Sequence, residues 1–310
     1  DHEAPSASVP EGIFGVAIAP RESEPEHVDG WRGPDQLQAG LLSEWRRPSI
    51  GCDREERPRL AGTFGEMGCF SMNDYKHLSV GDGGAVLTDS PRLAKLAQLY
   101  ADKCYSRNLF GLRTGQACRF LAPNYRMSEL CGAVALAQLH KVDWICERRN
   151  KHGKLLTRLI EDIPGILPPK ITEGAESSNW YYMLRVDEKT LGCRRDDFSE
   201  ALQAEGVPAG FYLKRTDQLP MLRNKTIYPP REDGFVCPYD LPVYKPGRIT
   251  YRKEDCPNVG LVCRTALIIQ MREFYTQRDI RDTAAAIRKV ASYYLDRKAS
   301  GGQARRRRGK

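Results

Sequence analysis

The sequence predicts an α/β protein built from two domains. Short apolar runs of strand character alternate along the chain with amphipathic helices, which is the pattern of α/β proteins. The 310 residues are enough for two packed domains, each with a core of its own. Residues 163–169, Ile-Pro-Gly-Ile-Leu-Pro-Pro, interrupt the helical pattern and predict the passage from the first domain to the second.

These features divide the chain into four parts. Residues 1–61 are rich in Pro, Glu, Arg and Ser, and no stretch in them alternates as a buried strand should. We expect an atypical, largely irregular segment with a hint of helix at 37–45. We expect residues 62–162 to form a first domain and residues 163–298 to form a smaller α+β domain. Residues 299–310 form a basic tail that we expect to be disordered.

A polar loop between two predicted strands carries the first candidate site. The apolar runs 67–70 and 85–87 predict strands, and the loop between them contains Ser71, Lys76 and the glycine-rich turn 81–84. A lysine held between two strands has the fixed position and partial desolvation that a Schiff-base lysine requires. The alternative is a surface lysine in a hairpin turn.

Two helices are predicted after this loop in the large domain. Ser90 is a suitable N-cap and proline follows at the first helical position, so a helix is predicted over 91–100. Ser128 caps a second helix, which we expect to continue to a basic last turn at Arg149. The apolar positions expected to face a core are Cys131, Val134, Ala135, Leu139, Val142 and Ile145.

The smaller domain is predicted from three strands and two helices. Strand patterns cover 180–186, 207–212 and 265–270. A helix with an acidic start and a glycine stop covers 196–206. The last helix opens at the capping box Thr276-x-x-Asp, and its apolar face is Ile280, Ala284, Ile287, Ala291 and Tyr294.

The residues around the loop lysine resemble the active-site segment of the DegT/StrS family of pyridoxal-phosphate-dependent sugar aminotransferases, which have fold type I. The matching segment is Cys-Phe-Ser71-x4-Lys76-x-Leu-Ser79-x-Gly-Asp-Gly-Gly-Ala-Val-Leu-Thr, where the family has Gly-Glu-Gly-Gly in the turn and usually Thr in place of Ser79. The resemblance implies that Lys76 binds pyridoxal 5'-phosphate covalently and is the catalytic residue. It also implies that Ser71 binds the phosphate of this cofactor.

Other segments extend the resemblance to the second half of the chain. The sequence Asn124-Tyr-Arg-Met resembles a family signature and implies that Asn124 binds the cofactor phosphate of the other chain in a homodimer, although Asn124 also suits the turn before a helix. Tyr181 and Tyr212 lie where the family directs side chains towards substrate, and both also suit core positions. The proline-rich stretch 214–263 is a candidate substrate lid or dimer arm.

The resemblance implies a cytoplasmic aminotransferase that moves an amino group from glutamate or glutamine to a keto-sugar or cyclitol. The chain departs from the family before residue 62, where family members supply further phosphate contacts, a ring stacked on the cofactor and an aspartate for the pyridine nitrogen. The resemblance therefore implies that residues 62–162 are the remaining part of a cofactor-binding large domain with a mixed sheet. The place of that aspartate is occupied by the region around 46–48. Residues 1–61 are either an incomplete or rearranged copy of the corresponding family segment or an unrelated segment that replaces it. An alternative is therefore a catalytically impaired or truncated member with a structural or partner-binding role.

Composition and charge argue against several other classes. Five of the eight net positive charges come from Arg305 to Arg308 and Lys310, and no aromatic-interleaved basic patch accompanies them, so we do not predict a nucleic-acid partner. A binding protein acting through this basic tail is a third reading. No window approaches the roughly 18 apolar residues of a membrane helix, and the run 12–19 lacks the basic leader of a signal peptide.

The cysteines and histidines do not form recognisable sites. The ten cysteines contain no Cys-x-x-Cys pair, and several lie in apolar stretches, which favours buried thiols in a reducing cytoplasm. The five histidines form no spaced cluster, so we predict no metal site.

Overall fold

The computed structural model describes residues 16–19, 61–107, 113–116, 120–172, 175–211, 214–226, 228, 232–235, 238–242 and 249–308. The helix predicted at 37–45, the region 46–48 and Tyr212 lie outside the described residues. The chain divides into two compact units. The first contains the described residues up to Lys151 together with Lys170–Trp180, and the second contains His152–Pro169 and the described residues from Tyr181 onwards.

The first unit contains a mixed three-stranded sheet. Its strands are β1 (Val16–Ala19), β2 (Gly68–Ser71) and β3 (Gly84–Leu87), in the order β1-β3-β2. β1 runs parallel to β3 and β2 runs antiparallel to it, so the predicted hairpin is present. Residues 1–61 were expected to be largely irregular, and β1 is a strand within this segment. Parallel strands commonly read as continuous apolar runs, and Val-Ala-Ile-Ala gave no alternation to detect.

A helix and a second hairpin follow in the first unit. Helix α1 (Pro91–Ala101) begins as predicted, since the Ser90 hydroxyl accepts a hydrogen bond from the Leu93 amide at 3.3 Å. Strands β4 (Tyr105–Arg107) and β5 (Arg113–Gln116) pair antiparallel.

The long helix predicted after Ser128 is divided into two. Helix α2 (Glu129–Leu139) begins at the predicted cap, but it ends before Lys141, and α3 (Val142–Ile160) continues the chain into the second unit. No glycine or proline marks this break, so the sequence did not indicate it. Of the predicted core positions Ala135, Leu139, Val142 and Ile145 are buried and Cys131 is partly buried. Val134 is the exception, because it lies on the solvent face of α2 with 44 % of its surface exposed.

The second unit is organised around an antiparallel four-stranded sheet. Its strands are β6 (Ile166–Leu167), β7 (Tyr181–Val186), β8 (Ala209–Gly210) and β9 (Ala266–Gln270), in the order β6-β7-β9-β8. Alternate side chains of β7 enter the core, in accordance with the period of a strand. The fully buried ones are Tyr182, Leu184 and Val186.

The helices of this unit pack on the sheet or lie in the connections. They are α4 (Glu188–Leu191), α5 (Arg195–Ala204), α6 (Pro220–Arg223) and α7 (Pro257–Thr265), and the last two lie in the proline-rich stretch. The core that α5 shares with the sheet includes Phe198, Leu202, Leu267 and Ile269. The strands and the α5 helix predicted for this domain are therefore confirmed, apart from the shorter β8.

The last helix, α8 (Gln277–Arg308), is longer than predicted. Its predicted capping box is present, since the Asp279 carboxylate accepts hydrogen bonds from the Thr276 amide and hydroxyl at 2.6 and 2.7 Å. The expectation of a disordered tail from residue 299 is wrong as far as Arg308. Alanine, glutamine and arginine are good helix formers, and they carry the helix past the glycine pair at 301–302. No helix in the described part of the chain combines the length and apolar character that crossing a bilayer demands.

Candidate active site

The loop between β2 and β3, residues 72–83, is fixed at both ends and is named the lysine loop here. The Met72 amide donates to the Gly83 carbonyl at 2.8 Å, and the Val80 amide donates back to the Met72 carbonyl at 2.9 Å. The side chains of Met72 and Leu78 are buried in the same apolar core. Lys76 therefore lies between two side chains that anchor its backbone to the core.

Polar contacts shape the lysine loop around Lys76. The Lys76 amide donates to the Asn73 carbonyl at 3.0 Å, which closes a turn. The Asn73 side chain donates to the Asp82 carboxylate at 3.2 Å and links the two arms of the loop. Gly81 adopts a φ of +88°, a conformation that favours glycine, so the predicted glycine turn is used at this position.

Ser71 ends β2 directly before the lysine loop. Its hydroxyl oxygen accepts a hydrogen bond from the Asn73 amide at 3.3 Å, and the residue is exposed. An accepting hydroxyl keeps its own proton for donation to another group. Ser71 can therefore donate a hydrogen bond to an anion beside the lysine loop.

The aromatic ring of Trp180 covers the amine of Lys76. Lys76 Nζ lies 3.6 Å from the centre of the indole ring, within the range of a cation–π interaction. The indole N–H donates to the Tyr75 carbonyl at 2.7 Å, and the ring Nε2 of buried His77 lies 3.2 Å from the Ser178 carbonyl. All of these residues belong to the first unit.

Sequence reasoning did not identify Trp180 as part of this site. The sequence placed it at the start of a strand, but β7 begins one residue later, and Trp180 contacts a loop 105 positions away from it at Tyr75. Local patterns carry no signal for a contact over such a separation. An aromatic residue at the edge of a strand pattern was the only available hint.

Asn124 is held by its own chain through its carbonyl oxygen. Arg126 Nε donates to Asn124 Oδ1 at 3.0 Å, and the same nitrogen lies 3.3 Å from the carboxylate of buried Asp102. The backbone of Asn124 forms an isolated β-bridge with Asp102. Asn124 Nδ2 donates to none of the residues that the structure describes, so this N–H2 group is available to a ligand.

The predicted site residues are distributed over both units. Lys76 and Ser71 lie in one hairpin and Asn124 lies in the same unit, but within the described ranges no hydrogen bond joins Asn124 to either of them. Tyr181 belongs to the second unit, where it is half-buried and pairs with Gln270 on β9. It occupies the face of β7 opposite to the buried Tyr182.

The described residues fit the aldehyde and phosphate ends of pyridoxal phosphate. Lys76 forms no salt bridge with any carboxylate in the described part of the chain, so no ion pair within these ranges competes with an aldehyde for its amine. The Ser71 hydroxyl and the Asn124 amide are neutral hydrogen-bond donors suited to phosphate oxygens. Within the described ranges, no group of three or more potential metal ligands is present.

The chain is similar in sequence to known aminotransferases. The sequence profile of the DegT/DnrJ/EryC1/StrS aminotransferase family matches residues 48–233. The L-glutamine:2-deoxy-scyllo-inosose aminotransferase of Streptomyces kanamyceticus is 28 % identical over 247 residues, which cover 75 % of this chain and 54 % of that protein. The dTDP-4-dehydro-2,3,6-trideoxy-D-glucose 4-aminotransferase of Saccharopolyspora spinosa is 23 % identical over 252 residues, with 77 % and 56 % covered.

Solved structures show the same fold. A sugar aminotransferase structure from Streptococcus pneumoniae, solved in its PLP form, has a TM-score of 0.59 and 15 % identity, and the match covers 80 % of this chain and 57 % of that one. Together with two other aminotransferase structures, from Streptoalloteichus hindustanus and Brucella abortus, this likeness confirms the predicted fold type I. The chain spans about half the length of the curated relatives that it matches.

Proposed function

Because the chain belongs to the DegT/DnrJ/EryC1/StrS aminotransferase family, we propose that it takes part in a pyridoxal-phosphate-dependent amino-group transfer. The donor is glutamate or glutamine and the acceptor is a keto-sugar or cyclitol. The observation that carries the proposal is Lys76, an amine held on an anchored loop without a carboxylate partner among the described residues. The names of the two relatives support a glutamine donor and cyclitol or nucleotide-linked keto-sugar acceptors.

Lys76 has two tasks in this proposal. When bound, pyridoxal phosphate supplies an aldehyde and an electron-poor ring that stabilises negative charge on the donor's α-carbon. Lys76 Nζ would hold the cofactor by condensing with its aldehyde, with loss of the aldehyde oxygen as water. Once the amino donor has taken its place there, the free amine of Lys76 would accept the proton from the donor's α-carbon and later return a proton, as general base and then general acid. The anchored loop keeps this nitrogen in place during both transfers.

Ser71 and Asn124 bind the phosphate in this proposal. The Ser71 hydroxyl donates from the same hairpin as Lys76. Asn124 donates from the second chain of a homodimer through Nδ2, while Arg126 holds its carbonyl oxygen. The protein functions in the cytoplasm, as the family resemblance implies.

An absorbance titration with pyridoxal phosphate tests the role of Lys76. A Schiff base absorbs at the edge of the visible range, so the wild-type chain is expected to develop this band as cofactor is added. Lys76→Ala should lose the band, whereas Lys95→Ala, which removes an exposed lysine of α1, should keep it.

Two results would contradict the proposal. An equal band in Lys76→Ala would show that another amine binds the cofactor. No band in the folded wild-type chain at saturating cofactor would instead support the alternative of a family member without catalysis. If the band forms, addition of glutamine or glutamate should remove it in the wild-type chain, and an unchanged band with both would exclude them as donors.

A further inference from the structure

The contact between Trp180 and Lys76 differs from ordinary packing. The nitrogen of Lys76 lies over the ring face at 3.6 Å, which is where the negative potential of an indole attracts a cation. Tryptophan is the strongest cation–π partner among the side chains. Trp180 lies outside the apolar cluster that anchors the lysine loop.

The indole ring is itself held in place from the lysine loop. Its N–H donates to the carbonyl of Tyr75, the residue directly before Lys76, and the carbonyl of Ser178 contacts the ring of His77, the residue directly after it. Between Ser178 and Trp180, Asn179 adopts a left-handed φ of 49°, which asparagine tolerates better than most residues. The segment 175–180 therefore contacts the lysine loop on both sides of Lys76.

We propose that Trp180 is the positioning residue of Lys76. Its ring face holds the side-chain nitrogen at one place above the loop, and its N–H bond to the Tyr75 carbonyl fixes the ring relative to the lysine backbone. The segment 175–180 is thus part of the active site, although it is distant in sequence from the lysine motif. This inference rests on the proposed function for the identity of the aldehyde that Lys76 captures, but the positioning itself exists without cofactor.

Competitive acylation of the cofactor-free full-length chain tests this role. Trace acetic anhydride labels every lysine in proportion to the availability of its amine, and peptide mass spectrometry gives the labelling of Lys76 relative to exposed Lys95. We expect Trp180→Leu to raise this ratio about two- to fivefold, which corresponds to about 0.5–1 kcal/mol of lost cation–π attraction. Trp180→Phe keeps an aromatic face and should give an intermediate ratio.

A matched control distinguishes loss of Lys76 positioning from a general loss of structure after removal of a tryptophan. Trp144 is half-exposed on α3 and also stacks on a cation, with Arg148 at 5.4 Å from its ring centre, so Trp144→Leu should leave the ratio of Lys76 to Lys95 unchanged. An unchanged ratio in Trp180→Leu, or an equal rise in Trp144→Leu, would overturn the inference. If Trp180→Leu melts at a lower temperature, the Trp180→Phe ratio decides: a value equal to wild type overturns the inference, and a raised value at wild-type melting temperature supports it.

The same variants keep this inference distinct from the proposed function. The acylation needs no cofactor, so its outcome does not depend on whether pyridoxal phosphate binds. A raised ratio in Trp180→Leu together with no absorbance band in the wild-type chain would leave the positioning role standing and reject the proposed function. A wild-type band with an unchanged ratio would do the reverse.

Discussion

The two units hold their central residues in different ways. In the second unit the sheet and its helices share one apolar core, and fully buried side chains such as Leu184 and Phe198 distribute the stabilisation over many contacts. In the first unit one amine depends on a few specific contacts: two buried anchors of the lysine loop, Met72 and Leu78, and one aromatic ring, Trp180. The stability of the fold and the position of the Lys76 amine should therefore respond to different substitutions.

The largest expected effect is a loss of unfolding free energy when one core residue of either unit is truncated. Phe198→Ala removes a fully buried ring and should lower the free energy of unfolding by about 3–5 kcal/mol, while acylation of Lys76 in the folded protein stays at the wild-type level. Leu78→Ala should cost about 2–5 kcal/mol and also raise that acylation, because it releases the loop beside the amine. Denaturant unfolding and peptide mass spectrometry measure the two quantities.

One result would contradict the expected difference between Phe198→Ala and Leu78→Ala. Equal acylation of Lys76 in Phe198→Ala and Leu78→Ala, both measured well below the unfolding transition, would mean that the loop anchors do not determine the position of the amine. Met72→Leu serves as the control, since it retains most of the buried volume and should leave the acylation close to that of the wild-type chain.

The next largest effect is expected at Asn124, which lies outside the lysine loop. Asn124→Ala should weaken pyridoxal phosphate binding roughly tenfold to a hundredfold, because a hydrogen bond to a charged group contributes about 1.5–3 kcal/mol. Binding of pyridoxal, which lacks the phosphate, should not change. Absorbance titrations with both compounds measure these affinities.

The exposed amide of Asn258 on α7 provides the control for this titration. Asn258→Ala should bind both compounds like the wild-type chain. If Asn124→Ala weakens pyridoxal and its phosphate equally, Asn124 does not contact the phosphate, and the residue only shapes the turn before α2.

The smallest expected effect is a pH dependence in the second unit. Burial raises the pKa of the Tyr182 phenol to about 12, more than its hydrogen bond with Thr157 lowers it. A raised pKa means that the folded state favours the neutral phenol, so this contribution to stability is complete below pH 10 and is lost as the pH rises towards 12. The wild-type chain should lose about 1.4 kcal/mol more than Tyr182→Phe between pH 9 and pH 11.

Denaturant unfolding of both proteins at these two pH values measures the difference. Other groups that titrate in this range are common to both chains and cancel in the comparison. An equal loss in the wild-type chain and in Tyr182→Phe would show that the phenol is not held neutral by the core.

Elements with a strong local signal were predictable from the sequence. The hairpin β2–β3, the cap of α1 at Ser90 and the capping box of α8 at Thr276 follow from apolar runs, glycines and capping residues that act over a few positions. The break between α2 and α3 was not predictable, since neither glycine nor proline lies at His140 or Lys141.

The candidate site was predictable only in part. Lys76, Ser71 and Asn124 were found because short motifs carry them, and their roles remain predictions. The ring over Lys76 was missed because it belongs to Trp180, which is distant along the chain. A contact of that kind depends on tertiary packing. The strand β1 was missed because four apolar residues without alternation give no period to detect.

Reductive trapping of the full-length chain tests the central claim most directly. Borohydride is added to the wild-type protein saturated with pyridoxal phosphate, and the digested chain is mapped by mass spectrometry. We expect a reduced pyridoxyl adduct on Lys76 as the dominant modified site. An adduct on another lysine with Lys76 unmodified, or no stable adduct on any residue, would contradict it.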